Sequence, residues 1–393
     1  MIAASVGVGT GEDAYQAGLE AATMVLSGLP DKKVDALLVF GSVTFDQDKL
    51  IEGVAAGANS PETIIVGCST AGEISSEGFS MEGSVVILGI VSDQMHAYAD
   101  AGHHILWNAF QAGNDFANAL EYNSHGYITS CLLFLDILSG NGEQTLSGVL
   151  NRVGTSFPVY GGAASDDLRF FETYQYLANK VYKGSIVGIG FSGDYHAVGV
   201  AMHGFLPIGI GHKVTRAEST TVFEIDGKPA MKMYEDYLGE EYSSQLREGL
   251  LPSLAVSYPL GVFLPGTRQV VLRNPVFVDQ HGAMTFTAAI PQGADVRIMI
   301  SGVEEGLASA KKAAEEVLLK LNGKKPKAVL IINSIARKKL LGADADEEIR
   351  MIQQILGRDV PMAGFYSYAQ IGGLLGDQVP FHNGAMLIWA LAE

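Results

Sequence analysis

The chain reads as a mixed α/β protein of two domains, built from internally repeated helix–strand–helix–strand units whose sheets mix parallel and antiparallel pairs. Three observations lead there. A short glycine-centred motif occurs three times. Each copy is preceded by an amphipathic segment, an apolar strand and a second helical segment. Each is followed by one more apolar run. Helices alternating with strands imply parallel crossovers, and the run after each motif implies an antiparallel addition.

The first copy runs Ile64, Ile65, Val66, Gly67, Cys68, Ser69, Thr70, Ala71, Gly72, Glu73 and closes with the apolar run 84–90. The second runs Pro158, Val159, Tyr160, Gly161, Gly162, Ala163, Ala164, Ser165, Asp166, Asp167 and closes with 185–191. The third runs Pro361, Met362, Ala363, Gly364, Phe365, Tyr366, Ser367, Tyr368, Ala369, Gln370 and closes with 384–391. In each, a buried-type strand is expected to stop on a glycine, which permits a positive φ or the close approach of another group. A loop of small, hydroxyl and carboxylate or amide residues follows. Glu73, Asp167 and Gln370 occupy matching places after Gly67, Gly161 and Gly364. The upstream strands are 36–40, 131–135 and 328–332.

With 393 residues the chain has room for two domains or one large duplicated one. Its 48% hydrophobic and 18% charged residues describe a well-packed globular protein. A net charge of −17 argues against nucleic acid and against an anionic membrane surface as partners. Cys68 and Cys131 lie in or beside apolar strands, with neither a disulfide framework nor metal spacing. No apolar run has the length to cross a bilayer, and no basic region precedes an apolar stretch at the start. The expected compartment is the cytoplasm.

In chain order, 3–8 is an opening strand. The helix after it, to about residue 27, is capped by Thr10 or Asp13 and puts Tyr15, Leu19, Ala22 and Leu26 on one face. The glycines at 7, 9 and 11 do not make a phosphate loop, because Glu12 and Asp13 stand where a dinucleotide fingerprint needs glycine. A strand at 95–101 is followed by helices at 105–120 and at 141–153, the latter capped by Asn141. Residues 171–182 form a hairpin. The Gly/Pro-punctuated crossing 203–211 marks the boundary between domains 1–205 and 206–393. Beyond it come a turn at Asp226 and Gly227, a helix opened by Pro229, antiparallel strands over 259–300, and helices at 302–321 and 344–356.

These residues resemble the FIST domain family, which has distinct N-terminal and C-terminal halves. Residues 66–73 and 160–166 look like its N-half signatures. The C-half signatures appear at 207–209, 214–215, 224–230, 258–261, 291–293, 337–342, 364–368 and 381–383. The resemblance implies a FIST N-terminal domain over 1–205 and a FIST C-terminal domain over 206–393. It implies a sensor of small molecules such as amino acids, coupled to histidine kinase, cyclic-dinucleotide or chemotaxis outputs, with haem-based nitric oxide sensing as an alternative. The chain has no room for an output module, so its signal is expected to pass to a separate protein. It departs from the family at Ala369 and Gln370, where Gly-Glu is usual, and at Ser334, where Cys is common.

Loops after parallel strands meet at the carboxyl edge of a sheet, where α/β folds place ligands. A pocket there takes backbone N–H groups and hydroxyls from Gly67, Cys68, Ser69, Thr70, Gly161, Gly162 and Ser165. Glu73, Asp166 and Asp167 add negative charge. Arg337 can clamp a carboxylate bidentately, Tyr366 and Tyr368 can stack or form a wall, and His382 lies among aromatic and apolar residues. Donors for a carboxylate and acids for an ammonium suit a zwitterion. The competing reading is that these loops are tight turns whose carboxylates cap helices or face water. Cys68 lacks a neighbouring base and reads as a buried thiol. The nine histidines show no metal spacing. A haem would take His203 or His382 as its axial ligand. No complete catalytic set is visible, so binding without turnover is expected, and an enzyme acting through the motif carboxylates ranks last.

Overall fold

A computed structural model describes the chain except residues 31–32, 77, 80–82, 248–256, 265, 267–268 and 374–378. Three units repeat one strand plan. The first comprises β1 (Ile2–Thr10), α1 (Ala14–Ser27), β2 (Ala36–Ser42), α2 (Gln47–Ala58), β3 (Ile64–Thr70), the hairpin β4 (Glu73–Ser75) and β5 (Gly78–Phe79), and β6 (Ser84–Ser92). The second comprises β7 (Met95–Gly102), α3 (Ala109–Asn123), β8 (Ser130–Leu135), α4 (Gly142–Val153), β9 (Val159–Ala163), the hairpin β10 (Gln175–Leu177) and β11 (Lys180–Tyr182), and β12 (Ile186–Gly193).

The third unit opens with β13 (His196–Met202) and is then interrupted by a β layer. That layer contains β14 (Leu206–Pro207), β15 (His212–Glu218), β16 (Thr221–Ile225), β17 (Lys228–Pro229), β18 (Leu260–Phe263), β19 (Val270–Arg273), β20 (Pro275–Val278), β21 (Met284–Phe286) and β22 (Asp295–Ile300). A helix, α5 (Ala230–Arg247), broken at Gly239, packs on it. The third unit resumes with α6 (Val303–Lys320), β23 (Ala328–Ser334), α7 (Ile335–Leu341), α8 (Ala345–Leu356), β24 (Met362–Ser367), the hairpin β25 (Gln370–Ile371) and β26 (Phe381–His382), and β27 (Met386–Ala392). A division of the chain at residue 205 therefore falls between β13 and β14, although β13 pairs with β27 in the third sheet.

The three sheets share one order and exchange hairpins in a ring. The first sheet is β1-β6-β2-β3 and ends on the second unit's hairpin; the second is β7-β12-β8-β9 and ends on the third unit's; the third is β13-β27-β23-β24 and ends on the first unit's. Among the described strands of these sheets only the middle pairs β2–β3, β8–β9 and β23–β24 are parallel, the first two bridged by one crossover helix each and the third by α7 and α8. The inner faces close on an apolar centre, where Phe40, Phe134 and Phe365 contribute one ring from each sheet at centroid separations of 5.5, 4.6 and 6.0 Å. Such aromatic pairs add roughly 0.5–1.5 kcal/mol each beyond the area they bury.

Helix pairs cover the outer faces, and small residues set their spacing. On α1 the buried face is Ala14, Ala17, Gly18, Ala21, Ala22 and Val25, whereas the sequence pattern pointed to Tyr15, Leu19, Ala22 and Leu26. The reason is the close crossing with α2: a Cβ on Gly18 would lie 2.3 Å from the Leu50 carbonyl oxygen, and one on Gly53 2.0 Å from that of Tyr15. Asp13 and Asn141 cap α1 and α4 as expected. Helix α3 starts at Ala109 rather than 105, because the Asn108 side chain accepts from the Gln111 N–H and sets the first turn there.

The motif strands do not stop on their glycines. They run through them, and each glycine makes room for the neighbouring parallel strand. A Cβ would lie 1.8 Å from the Val39 oxygen at Gly67, 1.9 Å from the Leu133 oxygen at Gly161 and 2.1 Å from the Ile331 oxygen at Gly364. Replacing Gly67 or Gly364 with alanine is expected to cost roughly 1–3 kcal/mol, because backbone must move to admit the methyl group. Denaturant-unfolding midpoints of the two variants check this, and unchanged midpoints would count against it.

Candidate functional site

The three motif loops do meet, and they meet on one another. Ser69 Oγ donates to the Ser165 carbonyl at 3.0 Å, and the Ser165 N–H donates to the Ser69 carbonyl at 3.0 Å. Ser165 Oγ donates to the Tyr366 carbonyl at 2.6 Å. The same carbonyl accepts the Ala71 N–H at 3.1 Å, and the Tyr366 N–H donates to the Gly72 carbonyl at 2.8 Å. First, second and third units are thus joined in a closed circuit. Ser69, Thr70, Glu73, Ser165, Asp166 and Tyr366 are all buried there.

The remaining expected ligand groups are committed as well. Asp166 accepts the N–H groups of Phe170, Phe171 and Glu172 at 3.1, 2.7 and 3.0 Å, together with the Tyr368 hydroxyl. It thereby holds a loop in which Asp167, Leu168 and Phe170 have φ of 55°, 61° and 51°. Tyr368 stacks on Phe170 at 5.1 Å. Arg337 clamps Glu348, also donating to the Gly306 carbonyl at 2.8 Å and to Ser309 Oγ at 3.0 Å. Its carboxylate partner is therefore internal, and the pair ties together α6, α7 and α8. Burial pushes the Cys68 thiol well above its ordinary range, which removes thiolate character. Gly67, Gly161 and Gly162 lie inside paired strands. None of these groups lines the three cavities described below.

Neither histidine named for a haem lines one of the cavities described below, and both are engaged within the fold. His203 Nε2 donates to the Val270 carbonyl at 3.2 Å while its Nδ1 accepts the Phe205 N–H at 3.2 Å, so both ring nitrogens are occupied. His382 Nε2 donates to the Gly372 carbonyl at 3.1 Å. Burial, with His203 and Arg273 nearby, pushes His382 down to about 3. Both rings are fasteners between the β layer or hairpin and their surroundings.

The repeat also corrects one correspondence. Glu73 lies opposite Phe365, and Gln370 opposite Gly162. The residue in that place in the first sheet, opposite Cys68, is Gln175, not Asp167. All three side chains are fully buried beside the start of their unit's last strand: Glu73 with Ser84, Gln175 with the Ser185 N–H, Gln370 with the Ala385 N–H. Glu73 is the one acid among two amides. It is held between the Thr70 and Ser84 hydroxyls, and Thr70 Oγ1 can instead donate its hydrogen bond to the Gly41 carbonyl at 3.3 Å.

Three cavities stand apart from this hub. One of about 650 Å³ lies at the amino ends of β2 and β3, lined by Asp35, Asn59, Thr63, His96 and Tyr98 among others. One of about 310 Å³ is bordered by Ala4, Ser5, Ser75 and Arg358. The third, of about 470 Å³, lies between the β layer and α4. Val262, Phe263, Leu264 and Val271 form its apolar wall, Glu143, Arg273, Lys213 and Asp295 its charged groups, and Pro291, Gln292 and Gly293 its lip. Arg273 and Glu143 form an ion pair across it, with side chains 6% and 23% exposed. Sequence reasoning flagged the lip as a motif but missed the pair, whose partners are 130 residues apart.

Burial raises the Glu73 carboxyl from the ordinary 4.5 to about 8, against the opposing pull of its hydroxyl partners and of Lys338. The folded chain thus holds this proton more tightly than the unfolded one. Its contribution is fully present below pH 4.5 and is lost as pH rises through about 8. Glu73→Gln, which copies Gln175 and Gln370, is expected to remove this decline, worth on the order of a few kcal/mol. Unfolding free energies of both proteins between pH 4.5 and 8 check it; parallel curves would contradict it.

Comparison with known proteins places the whole arrangement. Residues 35–228 match the FIST N domain and residues 230–373 the FIST C domain. An uncharacterized protein of Methanocaldococcus jannaschii is 29% identical over 220 residues, covering 52% of this chain and 41% of that protein. An uncharacterized protein of Mycobacterium tuberculosis is 26% identical over 235 residues, covering 58% of this chain and 60% of its own length. The chain thus spans between 41% and 60% of the length of these relatives. Among solved structures, a cyanuric acid hydrolase from A. caulinodans matches with a TM-score of 0.39 and 7% identity over 100% of this chain and 99% of that one. A chorismatase matches at 0.36 and 8%, over 100% and 98%; both likenesses are too distant to bear on chemistry. Matched along both halves, the chain belongs to the FIST family of sensory domains.

Proposed function

We propose that this chain is a cytoplasmic sensory protein that binds a small polar metabolite, of the size of an amino acid, in the cavity between the β layer and α4. It binds without turnover and reports occupancy to a separate signalling protein, such as a histidine kinase, a cyclic-dinucleotide enzyme or a chemotaxis protein. The observation that carries this reading is the cavity itself. Its volume of about 470 Å³ lies within the range of small-molecule sites, and an apolar wall faces a few fixed charges. Its lip, residues 291–293, is one of the C-half signatures, and the wall residue Val262 follows another at 258–261. The motif loops have a different part: they fix the three units against one another. Among the described residues no helix is long and apolar enough to cross a membrane.

The test is a thermal-shift screen of amino acids and other small polar metabolites with wild type and Ala294→Trp. Ala294 is half-buried, lines the cavity and packs against the β-layer core, so the substitution is expected to take up cavity space without removing a polar group. A ligand at about a hundred times its Kd stabilises the fold by about 2.7 kcal/mol. The expected result is a rise of several degrees for wild type that Ala294→Trp abolishes, while the ligand-free variant keeps a single cooperative thermal transition. A ligand that stabilises both proteins equally would place binding elsewhere.

A further inference from the structure

The cavity already holds a carboxylate of the chain's own. Glu143, in the first turn of α4, sets one carboxylate oxygen on Arg273 Nη2 and accepts the Ala289 N–H at the other, at 2.7 Å. The guanidinium does not depend on Glu143 for its position. Its Nε donates to the Ala289 carbonyl at 3.2 Å, and its Nη1 to the carbonyls of Leu272 at 2.9 Å and Phe381 at 3.0 Å. Nη2 and the Ala289 N–H therefore form a two-pronged carboxylate receptor fixed by backbone. Both residues line the cavity. Glu143 is the more exposed partner of the pair, 23% against 6%.

We propose that this receptor is the anchoring subsite of the cavity, and that a small carboxylate-bearing ligand binds by taking the place of Glu143 on Arg273 and Ala289. This rests on the cavity being the ligand site. The exchange keeps one carboxylate on the buried guanidinium throughout, so the large penalty of an unpaired buried cation does not arise. Glu143 is released toward water, where its charge is hydrated. The chain thus carries a built-in competitor that lowers apparent affinity by the fraction of time the receptor is free. Occupancy is also felt at one of the two joints that meet here. Arg273 holds the Phe381 carbonyl in β26, and Glu143 holds Ala289 of the β layer against the second unit. Exchange at the receptor loosens the second joint while leaving the first in place.

The experiment is calorimetric titration of acetate, propionate and glutarate at fixed ionic strength into the full chain, as wild type, Glu143→Gln and Glu143→Gln with Arg273→Lys. Expected is at least one carboxylate bound tenfold or more tightly by Glu143→Gln than by wild type, with the gain lost when Arg273→Lys removes the fork. Glu143→Gln showing no gain for any of the three overturns the inference. A stability readout covers the case in which removing the acid loosens the β layer: Glu143→Ala should regain thermal stability saturably with acetate and not with acetamide. Absence of that rescue also overturns it. A neutral metabolite that stabilises wild type and loses its effect in Ala294→Trp, with no gain for carboxylates in Glu143→Gln, would defeat this inference and leave the sensory reading standing.

Discussion

The molecule depends on a circuit of hydrogen bonds between three loop tips. Ser69, Ser165 and Tyr366 come from three different units, and their carbonyls accept from one another's loops at 3.0 Å or less in the shortest links. Backbone polar groups at this depth have no water to turn to, so each must be satisfied by the next unit. That requirement explains the composition of the motifs. Small residues let the tips approach, hydroxyls reach carbonyls across the seam, and glycines at 67, 161 and 364 let parallel strands draw together. The exchanged hairpins extend the same closure to the sheets, because every unit completes its neighbour's sheet as well as its own.

A centre so fully occupied leaves little for a ligand to bind. The groups that chemistry alone would choose, a carboxylate cage and an arginine clamp, are present, but they recognise parts of the same chain: Asp166 the 170–172 amides, Arg337 the Glu348 carboxylate. Recognition of an outside molecule is better served where elements of different origin meet imperfectly. The β layer interrupts the third unit and leans on the second, and the seam between them contains the cavity with its apolar wall and its ion pair.

Local chemistry was readable in the sequence. Asp13 and Asn141 announced helix starts because an N-cap needs only its own side chain and the next turn. The threefold motif was readable because each copy solves the same steric problem. The hairpin at 171–182 followed from its composition, but its role did not. The loop after Gly161 is longer than its two counterparts, so counting from the glycine reached Asp167, whereas pairing reached Gln175. The buried face of α1 escaped because a crossing at glycine distance selects small residues over large apolar ones. Arg273 and Glu143 escaped for a different reason. Each obeys a local rule, one ending a strand and the other opening a helix, and only the fold brings them together.

Amide hydrogen exchange resolved to single residues tests the closed centre most directly. If the three units are locked by their loop tips, the N–H groups of Ser69, Ala71, Ser165 and Tyr366 should exchange only through global unfolding, among the slowest in the chain and with equal free energies. Exchange of any of these four through a local opening, faster than the amides of β2 and β23, would mean that the tips part in the native state, and the account of a sealed hub with ligand recognition displaced to the β layer would fail.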